Sequence, residues 1–216
     1  NPWTEPPQDT YRSVRPLERA TGTPGYVTVG FRQGVPARLN GQRVEPLRHI
    51  ERLNRLGGAH GVGRSDMIES RVVGIKSREV YEAPAAAILY EAHQDLERLV
   101  LDRRLLSIKQ GLAITYAELV YSGLWCSPLK RALDGFVHET QRFVTGAVRL
   151  KLMKGTCQAV GRTSPFGLYR ERLATYSGKD AFDQRASEGF IKLLGLPYEG
   201  QRGMGHGARE HPPHKR

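Results

Sequence analysis

An α+β domain is the fold class this sequence predicts: antiparallel strands with several helices packed on them, preceded by an extended linker and followed by a flexible tail. Three observations carry that expectation. Apolar residues switch between a period of two and a period near 3.6 along the chain. The two kinds of segment come in blocks and not in strict alternation. Glycine and proline gather at the two ends, in residues 1–25 and beyond Pro197.

Residues 1–25 read as a linker, holding Pro2, Pro6, Pro7, Pro16, Pro24, Gly22 and Gly25 with few apolar side chains. Ordered structure is expected to begin at Tyr26-Val27-Thr28-Val29-Gly30-Phe31, a β-branched and aromatic run. A turn at Gln33-Gly34 leads into a second strand over residues 35–39, and Asn40-Gly41 is a strong hairpin signal. From Pro46 the pattern turns helical. Leu47, Ile50, Leu53 and Leu56 recur every three residues until Gly57-Gly58, where the helix is expected to stop.

Pro84 suits the first turn of the next helix, because proline lacks only an N–H that would be unbonded there. Ile88, Leu89, Ala92, Leu96, Leu99 and Val100 then mark one helical face. Asp102 restarts a helix to about Tyr121, and Ser127-Pro128 caps another to about Phe143. The period falls to two after Val144, with Val148, Leu150 and Leu152 alternating with Arg149, Lys151 and Met153. Lys154-Gly155 turns the chain into a partner strand over residues 158–162. A last helix is expected over roughly 182–194. The organisation is therefore a linker (1–25), one domain (26–197) and a disordered basic tail (198–216).

Composition narrows the function classes. At 216 residues the chain suffices for one substantial domain, and no run of about 18 apolar residues spans a bilayer. Nothing near Asn1 resembles a signal peptide, and Cys126 and Cys157 fall outside any CxxC spacing. Two reduced thiols in a cytoplasmic protein are expected. The formal charge of +11 invites a nucleic-acid reading, and residues 12–55 hold nine arginines against three acids. Aromatic residues are not interleaved with that charge at a spacing for base stacking, so a nucleic-acid partner is not expected. The seven histidines have no ligand spacing apart from a loose group in the tail, so no metal site is expected. Ser164-Pro165 lacks the context of a nucleophile and reads as a loop that edges a site.

The densest chemistry lies between His60 and Pro84, where glycines, charges and a phenol crowd together. Glu69 and Tyr81 are twelve residues apart, about 40 Å along one extended strand. They meet only if the chain folds back, and Ser70-Arg71, Gly74 and Ser77 offer places to turn. Together they would bind a ligand bearing an ammonium group and a hydrogen-bonding polar group. The bland alternative is a surface glutamate and a half-buried strand tyrosine.

The motifs around this run carry a family resemblance. His60-Gly-Val-Gly-Arg64-Ser-Asp66, Glu69, Arg71-Val-Val-Gly-Ile-Lys-Ser-Arg78 and Tyr81-Glu-Ala-Pro84 strongly resemble argininosuccinate synthase. So do Ala117-Glu-Leu-Val-Tyr-Ser-Gly-Leu-Trp125, Val144-Thr-Gly-Ala-Val-Arg-Leu-Lys-Leu152 and Gly161-Arg-Thr-Ser-Pro165. Ser127-Pro128, Lys154-Gly155, Leu168-Tyr169 and Gly189-Phe-Ile-Lys192 fit as well, and the likeness spans roughly residues 1–197.

What the resemblance implies is specific. The family joins citrulline to aspartate with ATP, its Mg counterion alongside, giving AMP and pyrophosphate through a citrullyl-adenylate. A glutamate and a tyrosine at positions matching Glu69 and Tyr81 hold citrulline; their work is positioning, not acid–base catalysis. A homotetramer in the cytoplasm is the expected assembly. The family's phosphate-binding loop, a Ser-Gly-Gly-x-Asp run after a strand, occurs nowhere in this sequence. ATP is therefore expected to be bound mainly by an N-terminal half, and this chain alone is expected to be inactive. Ser65, Ser70 and Glu79 depart from the usual residues beside the ligand holders. Family members commonly end in a helical arm, whereas the Gly-rich stretch after Pro197 is expected not to hold a long helix. Two other classes stay open: a non-catalytic oligomerisation module descended from the synthetase, and a basic RNA-binding module.

Overall fold

The computed structural model describes residues 1–173 and 183–206, with side chains to residue 199 in the last helix. Residues 1–168 form one compact unit and residues 169–216 another. The first unit is α+β, as expected.

Its centre is a five-stranded antiparallel sheet. Strands β1 (Gly25–Arg32), β2 (Val35–Leu39) and the short β3 (Gln42–Arg43) form a meander. A two-stranded sheet follows in sequence, β4 (Arg64–Ser70) with β5 (Lys76–Glu82), and then β6 (Gly146–Met153) with β7 (Thr156–Thr163). The large sheet runs β3-β2-β1-β6-β7, so β1 pairs with a strand more than a hundred residues away. Val148, Leu150 and Leu152 are fully buried, and so is Val29 on β1. The period-two run after Val144 thus buries the face it predicts.

Helices α1 (Pro46–Ala59) and α2 (Pro84–Val100) cover that face. Ile88, Ala92, Leu96 and Val100 of α2 join the same core as the sheet valines. Asp102 accepts hydrogen bonds from the amides of Arg104 and Leu105 at 2.9 and 3.1 Å, which starts α3 (Arg103–Tyr121). Ser127 accepts from the Lys130 amide and Pro128 takes the first position of α4 (Pro128–Gln141). Helix α4 ends two residues before the expected Phe143. Buried His49 on α1 has neither ring nitrogen hydrogen-bonded; burial, with help from Arg52, lowers its pKa and keeps it neutral.

Two expectations need correction. Gly57 and Gly58 do not stop α1; they lie inside it, and the helix ends at Ala59. A Cβ on Gly57 would come within 2.7 Å of the Pro84 side chain, and one on Gly58 within 2.3 Å of the Ser13 carbonyl oxygen. Close packing, not termination, is what these glycines permit. The second correction concerns the end of the chain. Helix α5 spans Ala186–His206 and passes through Pro197, so it runs on beyond Leu194, where the last helix was expected to end. A proline interrupts a helix only locally when the turns on both sides continue. Phe190, Leu194 and Tyr198 recur at helical spacing on α5 and are exposed. Phe182, the expected start of this helix, and the tail from 207 onward lie outside the described residues.

The opening 25 residues are extended, as read, but they are also bound down. They make only two short 3-10 turns, at Gln8–Thr10 and Leu17–Arg19. The amides of Arg15 and Thr21 donate to the carbonyls of Gly58 and Ala59 at 2.9 and 3.0 Å, satisfying the open end of α1. Val14 is buried in the process.

Candidate functional site

The run from His60 to Pro84 folds back on itself. After α1, Gly61 and Gly63 take positive φ values of 75° and 93°. At Gly63 a Cβ would lie 2.6 Å from the Pro84 backbone, so only glycine fits where the hairpin meets α2. Strands β4 and β5 then pair in register from Arg64↔Glu82 to Ser70↔Lys76. Gly74, at φ 84°, makes the turn between them, and the Arg71 amide donates to the Ile75 carbonyl at 2.9 Å. The fold-back that the two candidate residues require is present.

Alternation gives this ribbon two different faces. One carries Arg64, Asp66, Arg78 and Glu82, and the opening segment lies against it. The Arg64 guanidinium donates to the Val14 carbonyl and Gln8, and sits 3.9 Å over the Tyr11 ring. Arg78 forks onto Asp66 at 2.8 and 2.6 Å and reaches the carbonyls of Asn1 and Thr4. That fork holds the Asp66 carboxyl below its ordinary pKa, against some desolvation. The Glu82 carboxylate accepts from the amides of Arg12, Ser13 and Val14 at 2.7–3.1 Å. Burial pushes its pKa up, but the three amides and nearby Arg64 win and leave it lowered.

The other face carries Glu69, Glu79 and Tyr81. The Tyr81 hydroxyl donates to Glu69 Oε2 at 3.0 Å. The structure therefore brings together the carboxylate and phenol singled out in the sequence. The hydrogen bond to Glu69, then burial and the charges of Glu69 and Glu79, raise the Tyr81 pKa, so the phenol stays protonated at neutral pH. Glu79, an added charge beside Tyr81, is itself engaged by Arg71 at 2.7 Å. Lys76 Nζ donates to the Ser70 hydroxyl at 2.6 Å. Glu69 is half-buried and Tyr81 is 44% exposed, so both can be reached from solvent.

One further residue escaped the sequence reading. Tyr121, the last residue of α3, donates through its hydroxyl to the Ser70 carbonyl at 3.0 Å and ties the hairpin tip to that helix. The only sequence signal was a tyrosine in a motif shared with the family. His60 and Ser164 are structural. The His60 carbonyl accepts the Gly155 amide at 2.7 Å, and its ring packs where Gly25 lacks a side chain. The Ser164 hydroxyl donates to the Thr145 carbonyl and accepts the Phe166 amide, locking its own loop. Among the described residues no three His, Cys, Asp or Glu gather as a metal site, and no helix is long and apolar enough to cross a membrane.

The described residues thus form an α+β domain that displays a carboxylate and a protonated phenol, hydrogen-bonded to each other, on a two-stranded ribbon. Its family follows from direct comparison. The family model for the arginosuccinate synthase C-terminal domain matches residues 1–200. Argininosuccinate synthase of Synechococcus sp. (strain JA-3-3Ab) is 53% identical over 193 residues, covering 89% of this chain and 48% of that protein. The synthases of Thermosynechococcus vestitus and Chlorobaculum tepidum are 51% and 54% identical, each covering 91% of this chain and 49% of the relative. The chain belongs to the argininosuccinate synthase family and carries its C-terminal domain. It spans about half the length of the curated relatives it matches.

Proposed function

We propose that this chain serves as the C-terminal part of an argininosuccinate synthase, the ATP-dependent ligase that joins citrulline to aspartate. In this reading Glu69 and Tyr81 hold citrulline. The observation that carries it is the 3.0 Å hydrogen bond between them on the exposed face of the β4–β5 ribbon. Glu69 Oε2 is fixed by the phenol, which leaves Oε1 and the remaining lone pairs for the α-ammonium of an amino acid. Tyr81 enters as a neutral hydroxyl and takes no proton from the substrate. Holding the ureido group still is the contribution, since a fixed nucleophile attacks an adenylating phosphate as an intramolecular reaction would.

ATP supplies the adenylyl group that activates the ureido oxygen. Its phosphate loop has no counterpart in the described hairpin, and an N-terminal half of the synthase is the part that holds it. Subunit association is the second role of this domain. Only Leu119 of the nineteen residues of α3 is buried, while Ile108 and Ile114 are exposed, as is the apolar stripe of α5. Such faces suit contact between copies, with the tetramer as the expected assembly, in the cytoplasm.

The test is a calorimetric titration of the 216-residue chain with citrulline, beside Glu69→Ala. Binding that weakens at least about tenfold in the variant supports the site. Equal affinity in both removes Glu69 from it and leaves an oligomerisation module. The chain incubated with ATP, citrulline and aspartate is expected to form no argininosuccinate; turnover would overturn the division of labour.

A further inference from the structure

The five-stranded sheet offers a second candidate site on the face turned away from its core. Val29 and Phe31 of β1 point inward, so Gly30 and Arg32 lie on the opposite side. Gly30 pairs across the sheet with Ala147 on one flank and Arg38 on the other. Gly30, Ala37, Gly146 and Ala147 are the small residues that line a depression of about 600 Å³. A Cβ on Gly30 would already press on the Arg38 side chain at 3.0 Å.

Around this floor stand Arg32, Arg38, Arg43 and Arg142, with the Phe166 ring, and no aspartate or glutamate lines it. Arg38 and Arg43 are direct cross-strand partners. Like charges in that position repel, and among the described residues no carboxylate is paired with either. The Arg38 guanidinium is already oriented by the Gly41 carbonyl at 2.8 Å. Arg142 lies 5.4 Å over the Phe143 ring, which meets Phe166 edge-on at 5.3 Å. Glu139, 3.1 Å from Arg142, is the one carboxylate that any of the four engages among the described residues. Four guanidiniums less one carboxylate leave a local charge of about +3 over a concave floor. Arginine forks match phosphate oxygens in pairs, which a scattered basic surface does not do.

We propose that this depression binds a compact polyphosphate anion, free or carried by a nucleoside. The anion supplies the negative charge missing between Arg38 and Arg43, while Phe166 offers a ring face beside it. The site lies outside the β4–β5 ribbon and does not depend on the citrulline reading.

The experiment titrates the 216-residue chain at low salt with inorganic tripolyphosphate and, separately, with ATP. Single-site binding is expected, weakened about tenfold by each of Arg38→Gln and Arg43→Gln and unchanged in Glu69→Ala. Without anion the double variant should melt no lower than wild type, because a repulsive pair is gone, and tripolyphosphate should no longer raise its melting temperature. ATP binding more tightly than tripolyphosphate, with the excess lost in Phe166→Ala, identifies a nucleoside-borne ligand; equal affinities identify the free anion. If the double variant does not fold, Arg43→Gln, exposed on the edge strand, carries the test. Unaltered anion binding by the arginine variants overturns the proposal. So does binding only to long polyanions such as RNA, with affinity that grows with their length.

Discussion

The two sheets of this domain are built by different physics. The five-stranded sheet buries Val29, Val148, Leu150 and Leu152 completely under α1 and α2. The β4–β5 ribbon has no such face: Met67, Ile68 and Tyr81 are exposed along it, and ion pairs and amide hydrogen bonds hold it. A two-stranded ribbon alone is at best marginal in water. What fixes this one is the opening segment laid along one side and Tyr121 at its tip. The division leaves the other side, which carries Glu69 and Tyr81, accessible to solvent. Apolar burial makes the scaffold; polar fastening makes a surface that stays available.

The comparison breaks most severely if the sheet core is cut. Leu150→Ala should cost about 3 kcal/mol, because a fully buried side chain leaves a cavity under α2. Chemical denaturation of the chain measures it. A loss below about 1 kcal/mol would mean that the sheet is not the scaffold.

Cutting the polar fastening should cost less and behave differently. Glu82→Gln leaves three amides with a weaker acceptor, for about 1–2 kcal/mol. Its signature is pH dependence. The folded pKa of Glu82 lies below the ordinary 4.5, so its contribution is complete above that value and disappears as pH falls through the folded one. Wild type and variant should therefore differ near neutrality and converge in acid. A constant difference down to low pH would show that Glu82 acts by shape alone. Faster proteolysis within residues 1–25 of the variant would place the damage where the geometry does.

The same contrast governs how much could be read from the sequence. Elements made by local periodicity were legible: the β6 alternation, the apolar face of α2, and the caps at Asp102 and Ser127. Elements made by partners far along the chain were not. The opening segment is fastened by Glu82 some seventy residues away, and proline content alone says only that such a segment is extended. Gly57-Gly58 looked like a stop because glycine weakens helices, whereas the approach of Pro84 and Ser13 is what demands it. Strands β4 and β5 lack a buried face to produce a pattern, so only the turn residues between them were visible. Glu69 and Tyr81 were named from residue chemistry and family motifs; their contact depends on the register of the ribbon, which no spacing reveals.

The smallest effect on stability belongs to a residue with a large expected effect on binding. Tyr81→Phe removes a hydroxyl whose partner, Glu69, is on an accessible surface where water takes its place. The melting temperature should not move. Under the proposed function citrulline affinity should nevertheless fall about tenfold, because the phenol would both orient Glu69 and offer a neutral hydroxyl to the ligand's polar end. The two readouts separate roles that a single measurement would merge. A variant that melts lower and binds equally well makes Tyr81 another fastening of the ribbon. One that melts as wild type and binds poorly assigns it to the ligand, and the free face of the ribbon with it.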